Sequence, residues 1–225
     1  MPVSSSSNLN GLSRENLPTI YCVIPAAGVG KRMQADLPKQ YLPIDDKTII
    51  VINPEDQYFS DLSLKDNPDV QVVDGGDERV NSVLAGLKAI DAQLDAWVLV
   101  HDAARPNVSM ADIDKLVSTC LKHNKGGLLA TPVRDTMKRG TDTVSHTESR
   151  ENLWHALTPQ FFPLQQLIYA LEQGLASGLT ITDEASAVEY QHQPVLLVEG
   201  RSDNIKITRP EDLALAGFYL REQRS

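Results

Sequence analysis

Residues 20–33 read IYCVIPAAGVGKRM and indicate an apolar strand that runs directly into a loop of small residues. Further short apolar runs follow at 70–73, 97–101, 127–133 and 195–199. They are apolar almost throughout, which is typical of strands covered on both faces. The sequence therefore predicts several buried strands in one sheet.

Helical patterns separate these runs. Apolar residues recur at the spacing i, i+3, i+4 and i+7 in three stretches, 80–87, 113–121 and 164–171, and Pro210 opens a last helix. Ser109, with Asp112 three residues on, predicts a capping box at the start of the second helix. Strands that alternate with helices predict an α/β fold with a largely parallel sheet. Ligands of such sheets bind beyond the carboxyl ends of the strands.

The polar stretch 134–154 breaks this alternation. It is rich in Thr and Arg, has no helical period, and is too long for a structureless loop inside a compact domain. We expect a β-arm that protrudes from the sheet. Because the exposed edges of such an arm need a pairing partner, we predict a twofold homodimer built on it.

The composition is typical of a globular cytoplasmic protein. Hydrophobic residues make up 41% of 225, which allows a sizeable core, and we expect one domain at 18–225 after a disordered tail at 1–17. The formal net charge of −9 argues against a nucleic-acid binder. No apolar run approaches the about 18 residues of a membrane span. Cys22 and Cys120 lie in apolar patterns, which predicts two buried free thiols.

The loop after the first strand suits a phosphate ligand. Its small residues let backbone N–H groups approach an anion closely. Lys31 and Arg32 add positive charge, and Lys39 in PKQY supplies another cation close by in sequence. A dinucleotide-binding fingerprint needs a third glycine where Met33 stands. We therefore favour a triphosphate.

Other candidate ligand groups follow later strands. Asp102 comes directly after an apolar run and is a natural oxygen ligand for Mg²⁺, unless it forms a surface ion pair with Arg105. Asp77 and Ser82 either recognise a base or ribose or cap the helix beside them. Thr182 is either a helix cap or a ligand contact.

Lys206 lies in a short apolar run near the end of the chain, where a lysine is hard to dismiss as an ordinary surface residue. The five histidines show no metal-ligand spacing, and we assign none of them a nucleophilic or zinc role.

Eight strings, in this order, resemble the 2-C-methyl-D-erythritol 4-phosphate cytidylyltransferase family: PAAGVGKRM, PKQY, DGGDERVNSVLAGLKA, VLVHDAARP, PVRDTMKR, LWHALTPQFF, TITDEASAVEY and NIKITRPEDLALA. The resemblance covers residues 21–220. It implies a single-domain Rossmann-like nucleotidyltransferase that uses Mg²⁺. The implied reaction transfers a cytidylyl group from CTP to 2-C-methyl-D-erythritol 4-phosphate, releasing pyrophosphate, in nonmevalonate isoprenoid biosynthesis.

The resemblance also implies roles for single residues. Arg32 and Lys39 would hold the triphosphate, Asp102 would contact Mg²⁺, and Arg150 and Lys206 would aim the acceptor phosphate. The CTP pocket would be lined by Ala26, Ala27, Gly28, Gly76, Asp77, Ser82 and Ala103. The acceptor would also contact Arg105, Thr136, Thr158 and Thr182. The arm 134–154 would complete the partner's substrate pocket.

The chemistry agrees with these roles. The acceptor phosphate is already a nucleophile near neutral pH, so the reaction needs positioning and charge stabilisation rather than a general base. Two alternatives stay open: a cytidylyltransferase for another polyol phosphate such as ribitol 5-phosphate, and a nucleotide-binding regulatory protein without catalysis. The presence of Arg32, Lys39, Asp102 and Lys206 together argues against the second.

The sequence departs from the family pattern at one place. A helix and a strand separate the family's counterparts of residues 48–50 and 52–56, whereas here the two segments are adjacent. A parallel crossover needs a dozen or more residues. We therefore predict that the chain is interrupted between Lys47 and Asn53 by an omitted segment; the alternative is a real deletion.

Overall fold

A computed structural model describes residues 17–27, 48–91 and 95–223. The strands within these ranges are β1 (Ile20–Pro25), β2 (Thr48–Ile52), β3 (Val70–Asp74), β4 (Trp97–Val100), β5 (Gly127–Pro132), β6 (Met137–Gly140), β7 (Val144–Glu148), β8 (Trp154–Pro163) and β9 (Leu196–Glu199). The helices are α1 (Arg79–Lys88), α2 (Met110–His123), α3 (Leu164–Ala176), α4 (Glu184–Tyr190) and α5 (Pro210–Glu222). The predicted α/β class is confirmed.

Seven strands form the central sheet in the order β3-β2-β1-β4-β8-β5-β9. All neighbours pair in parallel except β8, which runs antiparallel to both β4 and β5. The sequence reasoning did not predict β8, because His155, Gln160 and two prolines interrupt its apolar pattern. Its inner half is nevertheless buried, with Phe161 and Phe162 fully enclosed.

Residues 48–53 are described without an interruption, as the alternative of a real deletion requires. Thr48–Ile52 is one continuous strand whose residues pair in register with both β1 and β3. The family motif places Thr48 before a crossover, whereas in this structure Thr48 is the first residue of the second strand. The connection from β1 therefore precedes Thr48. Lys47 lies outside the described residues.

Apolar side chains pack on both faces of the sheet. On one face, α1, α3 and α4 bury Leu87, Leu171 and Val188 against the strands. On the other face, α2 packs Leu116 and Cys120 against the sheet. Both cysteines are free and buried, as predicted, and burial raises the pKa of each thiol to about 12.

Two helix starts differ from the sequence prediction. Ser109 Oγ accepts a hydrogen bond from the backbone N–H of Asp112 at 3.2 Å, but the Asp112 carboxylate accepts from the N–H of Arg201 instead of completing a capping box. At α4 the capping residue is Asp183, which forms a capping box with Ser186. Thr182 is therefore not the cap of this helix.

Strands β6 and β7 form a separate antiparallel hairpin within residues 134–154, where the sequence predicts a protruding β-arm. Most of its side chains are exposed, including Val144. Arg139 on β6 forms a cross-strand ion pair with Glu148 on β7 at 2.5 Å, and His146 Nε2 lies 3.0 Å from the same carboxylate within β7. In the ranges that the structure describes, no helix has the length and apolar character to cross a membrane.

Candidate active site at the carboxyl edge of the sheet

The carboxyl ends of β1, β2 and β3 meet at one edge of the sheet. The N–H of Ala26 donates to the carbonyl of Val51, and the N–H of Gly75 to that of Ile52, both at 2.7 Å. A Cβ atom at Gly75 would lie only 2.5 Å from Cβ of Ala27. This edge therefore closes only because position 75 has no side chain.

We expect Gly75→Ala to destabilise the fold by about 1–3 kcal/mol, the usual cost of overpacking. The added methyl group would meet Ala27 and the Ser82 hydroxyl, which lies at 2.8 Å. Denaturant unfolding measures the effect. The matched control is Gly217→Ala in α5, where the nearest neighbour of the added Cβ would be an Arg221 guanidinium nitrogen at 3.6 Å. Equal stability of both variants would contradict the close approach.

Ser82 stabilises the turn at Gly75 and Gly76, called the glycine turn below. Its hydroxyl oxygen accepts from the N–H of Gly76 at 3.2 Å and lies 3.2 Å from the carbonyl oxygen of Glu78. Only 2% of Ser82 is exposed, so this side chain shapes the turn from beneath. The N-terminal cap of α1 is Glu78, without a side-chain bond, so neither Asp77 nor Ser82 is the cap. Asp77 is exposed beside this turn.

Asp102 is a buried carboxylate at the centre of a charge cluster just beyond β4. Its Oδ1 accepts from Arg79 Nε at 3.1 Å, and its Oδ2 accepts from Lys206 Nζ at 2.8 Å. Arg105 Nε lies 3.8 Å from Oδ2, and the Arg105 and Asp102 side chains are only 11% and 10% exposed. The alternative of a surface ion pair is therefore wrong.

The charges around Asp102 keep it ionised. Burial alone would raise its pKa, but Arg79 and Lys206 outweigh burial and lower the pKa to about 2. Burial also lowers the pKa of Arg105, with Asp102 opposing that change. Lys206 lies in an irregular segment, not in a strand, and its side chain is 44% exposed.

A chain of hydrogen bonds through His101 and Thr158 fixes the backbone at Asp102. His101 Nε2 lies 3.0 Å from the carbonyl of Arg105, so this nitrogen must carry the proton. Nδ1 is then an acceptor, and the Thr158 hydroxyl donates to it at 3.0 Å. The same hydroxyl oxygen accepts from the N–H of Asp102 at 3.0 Å. Asn204 Nδ2 donates to the Thr158 carbonyl at 2.9 Å, which ties the segment that carries Lys206 to this chain.

Protonating His101 would disrupt this chain. Burial lowers its pKa from 6.5 to about 4. Between these values the unfolded chain binds a proton that the folded chain excludes, so stability falls as the pH drops from 6.5 to 4 and this contribution is constant below 4. We expect a loss of at most about 3 kcal/mol.

Urea unfolding at pH 7, 5 and 4 measures this loss. His101→Gln, which cannot titrate, should flatten the dependence between pH 6.5 and 4. His123→Gln, at an exposed position, should leave it unchanged. A His101→Gln profile parallel to that of the unchanged protein would contradict the assignment.

Two residues of the charge cluster were missed by the sequence reasoning. Arg79, the first residue of α1, donates to both oxygens of Glu184, at 2.6 and 3.2 Å, as well as to Asp102. Burial raises the pKa of Glu184, and Arg79 opposes that change. A signal was available, because a cation in the first turn of a helix is disfavoured by the helix dipole and so implies an anionic neighbour.

The structure brings together four of the predicted site residues: Asp102, Arg105, Thr158 and Lys206. Ala103 lies between Asp102 and Arg105, half-buried, and Ala27, Gly76 and Ser82 lie at the glycine turn. Thr136 and Arg150 are exposed on the arm, where Arg150 donates to the carbonyl of Arg134. Thr182 is exposed just before α4. Gly28, Arg32 and Lys39 lie outside the described residues.

Comparison with known proteins decides the family. The sequence model described as "IspD: 2-C-methyl-D-erythritol 4-phosphate cytidylyltransferase" matches residues 20–51 and 46–222. The chain belongs to this family. A relative of that description from Colwellia psychrerythraea is 52% identical over an alignment of 229 positions. The alignment covers 89% of this chain and 94% of the relative. One from Vibrio parahaemolyticus is 51% identical over 231 residues, covering 93% and 99%.

Solved cytidylyltransferases share the fold. The enzyme of that description from Francisella tularensis superposes with a TM-score of 0.76 at 35% identity, over 89% of this chain and 99% of the other. The one from Thermus thermophilus gives a TM-score of 0.71 at 28% identity, over 89% and 98%. The predicted fold and family resemblance are confirmed.

The comparisons also locate the departure from the family. The two matched segments overlap at 46–51, so the match is split where β2 lies. The alignment with the Colwellia psychrerythraea cytidylyltransferase has 229 positions but covers 89% of a 225-residue chain, so the relative contains residues that this chain lacks. The shorter sequence still forms the full pairing of β2 with both neighbouring strands.

Proposed function

We propose that this chain transfers the cytidylyl group of CTP to 2-C-methyl-D-erythritol 4-phosphate and releases pyrophosphate, as a step of isoprenoid biosynthesis. The observation that carries the proposal is the charge cluster at the end of β4, where the buried Asp102 is surrounded by Arg79, Arg105 and Lys206. Asp102 and Glu184, which Arg79 also binds, offset two of these three cations and leave one net positive charge at a sheet edge, although the chain as a whole is acidic. Such an edge suits two phosphorylated substrates.

The reaction makes one P–O bond and breaks another. A phosphate oxygen of the acceptor attacks the α-phosphorus of CTP, and the bond from that phosphorus to the bridging oxygen of the β-phosphate breaks as pyrophosphate leaves. The attacking oxygen carries no proton that must be removed. The side chains therefore act by holding two anions together and by stabilising the charge on the α-phosphate oxygens.

The proposed contacts follow the family motifs. Lys206 and Arg105 bind the acceptor phosphate beside Asp102, and Arg32 and Lys39 bind the triphosphate. Thr158 supports the acceptor side of the site, with Thr136, Arg150 and Thr182 as further contacts. The CTP pocket is formed by Ala26, Ala27, Gly28, Gly76, Asp77, Ser82 and Ala103.

Asp102 suits Mg²⁺ bound together with a triphosphate. In the part of the chain that the structure describes, no cluster of three or more His, Cys, Asp and Glu side chains could hold a metal by itself. Mg²⁺, however, is commonly held by one or two carboxylates plus substrate phosphates. The Asp102 carboxylate is ionised, and its Oδ2 contacts Lys206, whose half-exposed and flexible side chain can turn aside. When bound, Mg²⁺ would neutralise charge on the triphosphate.

We also propose that two copies form a cytoplasmic homodimer through the β6–β7 arm. The hairpin is a two-stranded sheet of its own with mainly exposed side chains, so each of its strands has an edge open to pairing. Pairing with a symmetry mate would satisfy those edges and bring Thr136 and Arg150 to the partner's acceptor site.

Turnover of competing acceptors tests the proposed substrate. The purified protein is given CTP, Mg²⁺ and equal concentrations of 2-C-methyl-D-erythritol 4-phosphate and ribitol 5-phosphate, and both cytidine diphosphate products are separated by mass. We expect the product of 2-C-methyl-D-erythritol 4-phosphate to dominate. Preferential formation of the ribitol product would replace the acceptor while keeping the reaction.

A further inference from the structure

The Arg79 guanidinium bridges two carboxylates that are far apart in sequence. Nη1 and Nη2 hold Glu184, at 2.6 and 3.2 Å, while Nε and Nη2 hold Asp102 Oδ1, at 3.1 and 3.0 Å. The planar guanidinium thus binds one carboxylate on each of two edges, an arrangement that a lysine ammonium cannot reproduce. The position of Asp102 Oδ1 therefore depends on the position of Arg79.

Glu184 is built into the protein and not exposed to a ligand. Its side chain is 1% exposed, and Arg79 is its ion-pair partner among the described residues. The side-chain amide of Gln160 on β8 fixes the start of α4, because its Oε1 accepts from the N–H of Ala185 at 2.8 Å and its Nε2 donates to Asp183 Oδ2 at 2.9 Å. These two bonds fix the backbone on either side of Glu184.

The two cations that are hydrogen-bonded to Asp102, Arg79 and Lys206, differ in freedom; Arg105 Nε lies farther away, 3.8 Å from Oδ2. Arg79 is tied to a fully buried carboxylate, whereas the Lys206 side chain is 44% exposed and donates to Asp102 Oδ2. Oδ1 is therefore held firmly and Oδ2 is the oxygen whose partner can change. Buried ion pairs add little net stability compared with apolar side chains, so stability alone is a weak reason for the Arg79–Glu184 pair.

We propose that Arg79 and Glu184 are positioning residues that hold Asp102 by Oδ1 and leave Oδ2 for the nucleotidyl transfer reaction, an inference that rests on the proposed function. Glu184 acts through Arg79 and touches no substrate. Its carboxylate keeps the guanidinium from turning towards the phosphates, so that Asp102 stays at the end of β4. Second-layer partners of this kind typically change metal affinity or activity about 10–100-fold when they are removed.

The test uses Glu184→Gln, which keeps the side-chain shape but removes its charge, and Arg79→Lys, which keeps the charge but removes the planar guanidinium. Both variants are first shown to be folded by circular dichroism at the assay temperature. We expect kcat to fall about 10–100-fold in each, with little change in KM for CTP. The matched control is Glu172→Gln, which breaks the exposed Lys88–Glu172 pair between α1 and α3 and should leave kcat unchanged.

A second readout needs no acceptor and no turnover. Binding of Mn²⁺ with CTP, followed by electron paramagnetic resonance, should weaken in Glu184→Gln and be unchanged in Glu172→Gln. If the proposed acceptor were wrong, the unchanged protein would fail to turn it over while this difference in Mn²⁺ binding remained. The two failures are therefore distinguishable.

The double variant Asp102→Asn with Glu184→Gln decides between positioning and simple structural support. If Glu184 acts through Asp102, adding its substitution to Asp102→Asn lowers kcat no further. If the effects of the two substitutions on kcat multiply, the proposal is overturned. A folded Glu184→Gln protein with normal kcat and normal Mn²⁺ binding would also overturn it. If Glu184→Gln does not fold, Arg79→Lys carries the same comparison.

Discussion

Lys39→Ala and Arg32→Ala are each expected to lower kcat about 10²–10³-fold, or by about 2.7–4 kcal/mol, as removal of one charge-stabilising donor typically does. Both residues belong to the segment after the small-residue loop, where the family motif implies contact with the triphosphate. Charge on the α-phosphate grows during the reaction, so the loss should appear in kcat far more than in KM for the acceptor. Steady-state pyrophosphate release with each substrate varied in turn measures both constants.

Lys65→Ala is a suitable control for this prediction. Lys65 is an exposed lysine in the short 3-10 helix Ser63–Asp66, and its ammonium donates to the carbonyl of Ser60 at 2.7 Å. This variant should turn over normally, because it changes the net charge of the protein by the same amount without approaching the proposed site. Normal turnover in Lys39→Ala or Arg32→Ala would remove that residue from the proposed mechanism.

Deleting residues 139–147, most of the β6–β7 hairpin, is expected to abolish dimers and strongly depress turnover while leaving CTP affinity largely intact. The hairpin forms its own two-stranded sheet, so its removal leaves the seven-stranded sheet complete. Light scattering measures the mass, and calorimetry with CTP and no acceptor measures nucleotide binding. A fully active monomer at assay concentration would contradict both the dimer and the shared site.

Mixed dimers test the shared site without any deletion. Arg150→Ala and Lys39→Ala proteins are each expected to be nearly inactive. If Arg150 serves the partner's site, exchange of subunits between the two proteins yields dimers with one intact site, and activity returns on mixing. If every site is formed within one chain, a mixed dimer has one site that lacks Arg150 and another that lacks Lys39, and activity stays low.

Most of the parallel strands and the helices were accessible from the sequence, because buried strands and amphipathic helices each leave a recognisable pattern. β8 was not, since a strand that lies in the middle of the sheet can carry Gln160 when that side chain is bonded to α4. β2 was overlooked for another reason. Residues 48–50 and 52–56 were assigned to two separate segments of the family motif, so the strand that they form together was not considered.

The candidate site was only half predictable. Asp102, Arg105, Thr158 and Lys206 were singled out, and the structure places them together. Glu184 was not, because nothing in the residues around it shows that its side chain turns inwards to Arg79, 105 positions away. Pairing of charges over such a distance is a property of the folded chain, and local sequence patterns do not contain it.

The most direct measurement of the central claim is pyrophosphate release with each of the four nucleoside triphosphates and 2-C-methyl-D-erythritol 4-phosphate, with and without Mg²⁺. The account predicts rapid release with CTP and Mg²⁺, a cytidine diphosphate product confirmed by mass, and little release with the other nucleotides or without the metal. It also predicts that release falls strongly in Asp102→Asn but stays measurable. Equal release with all four nucleotides, or none with CTP, would contradict it.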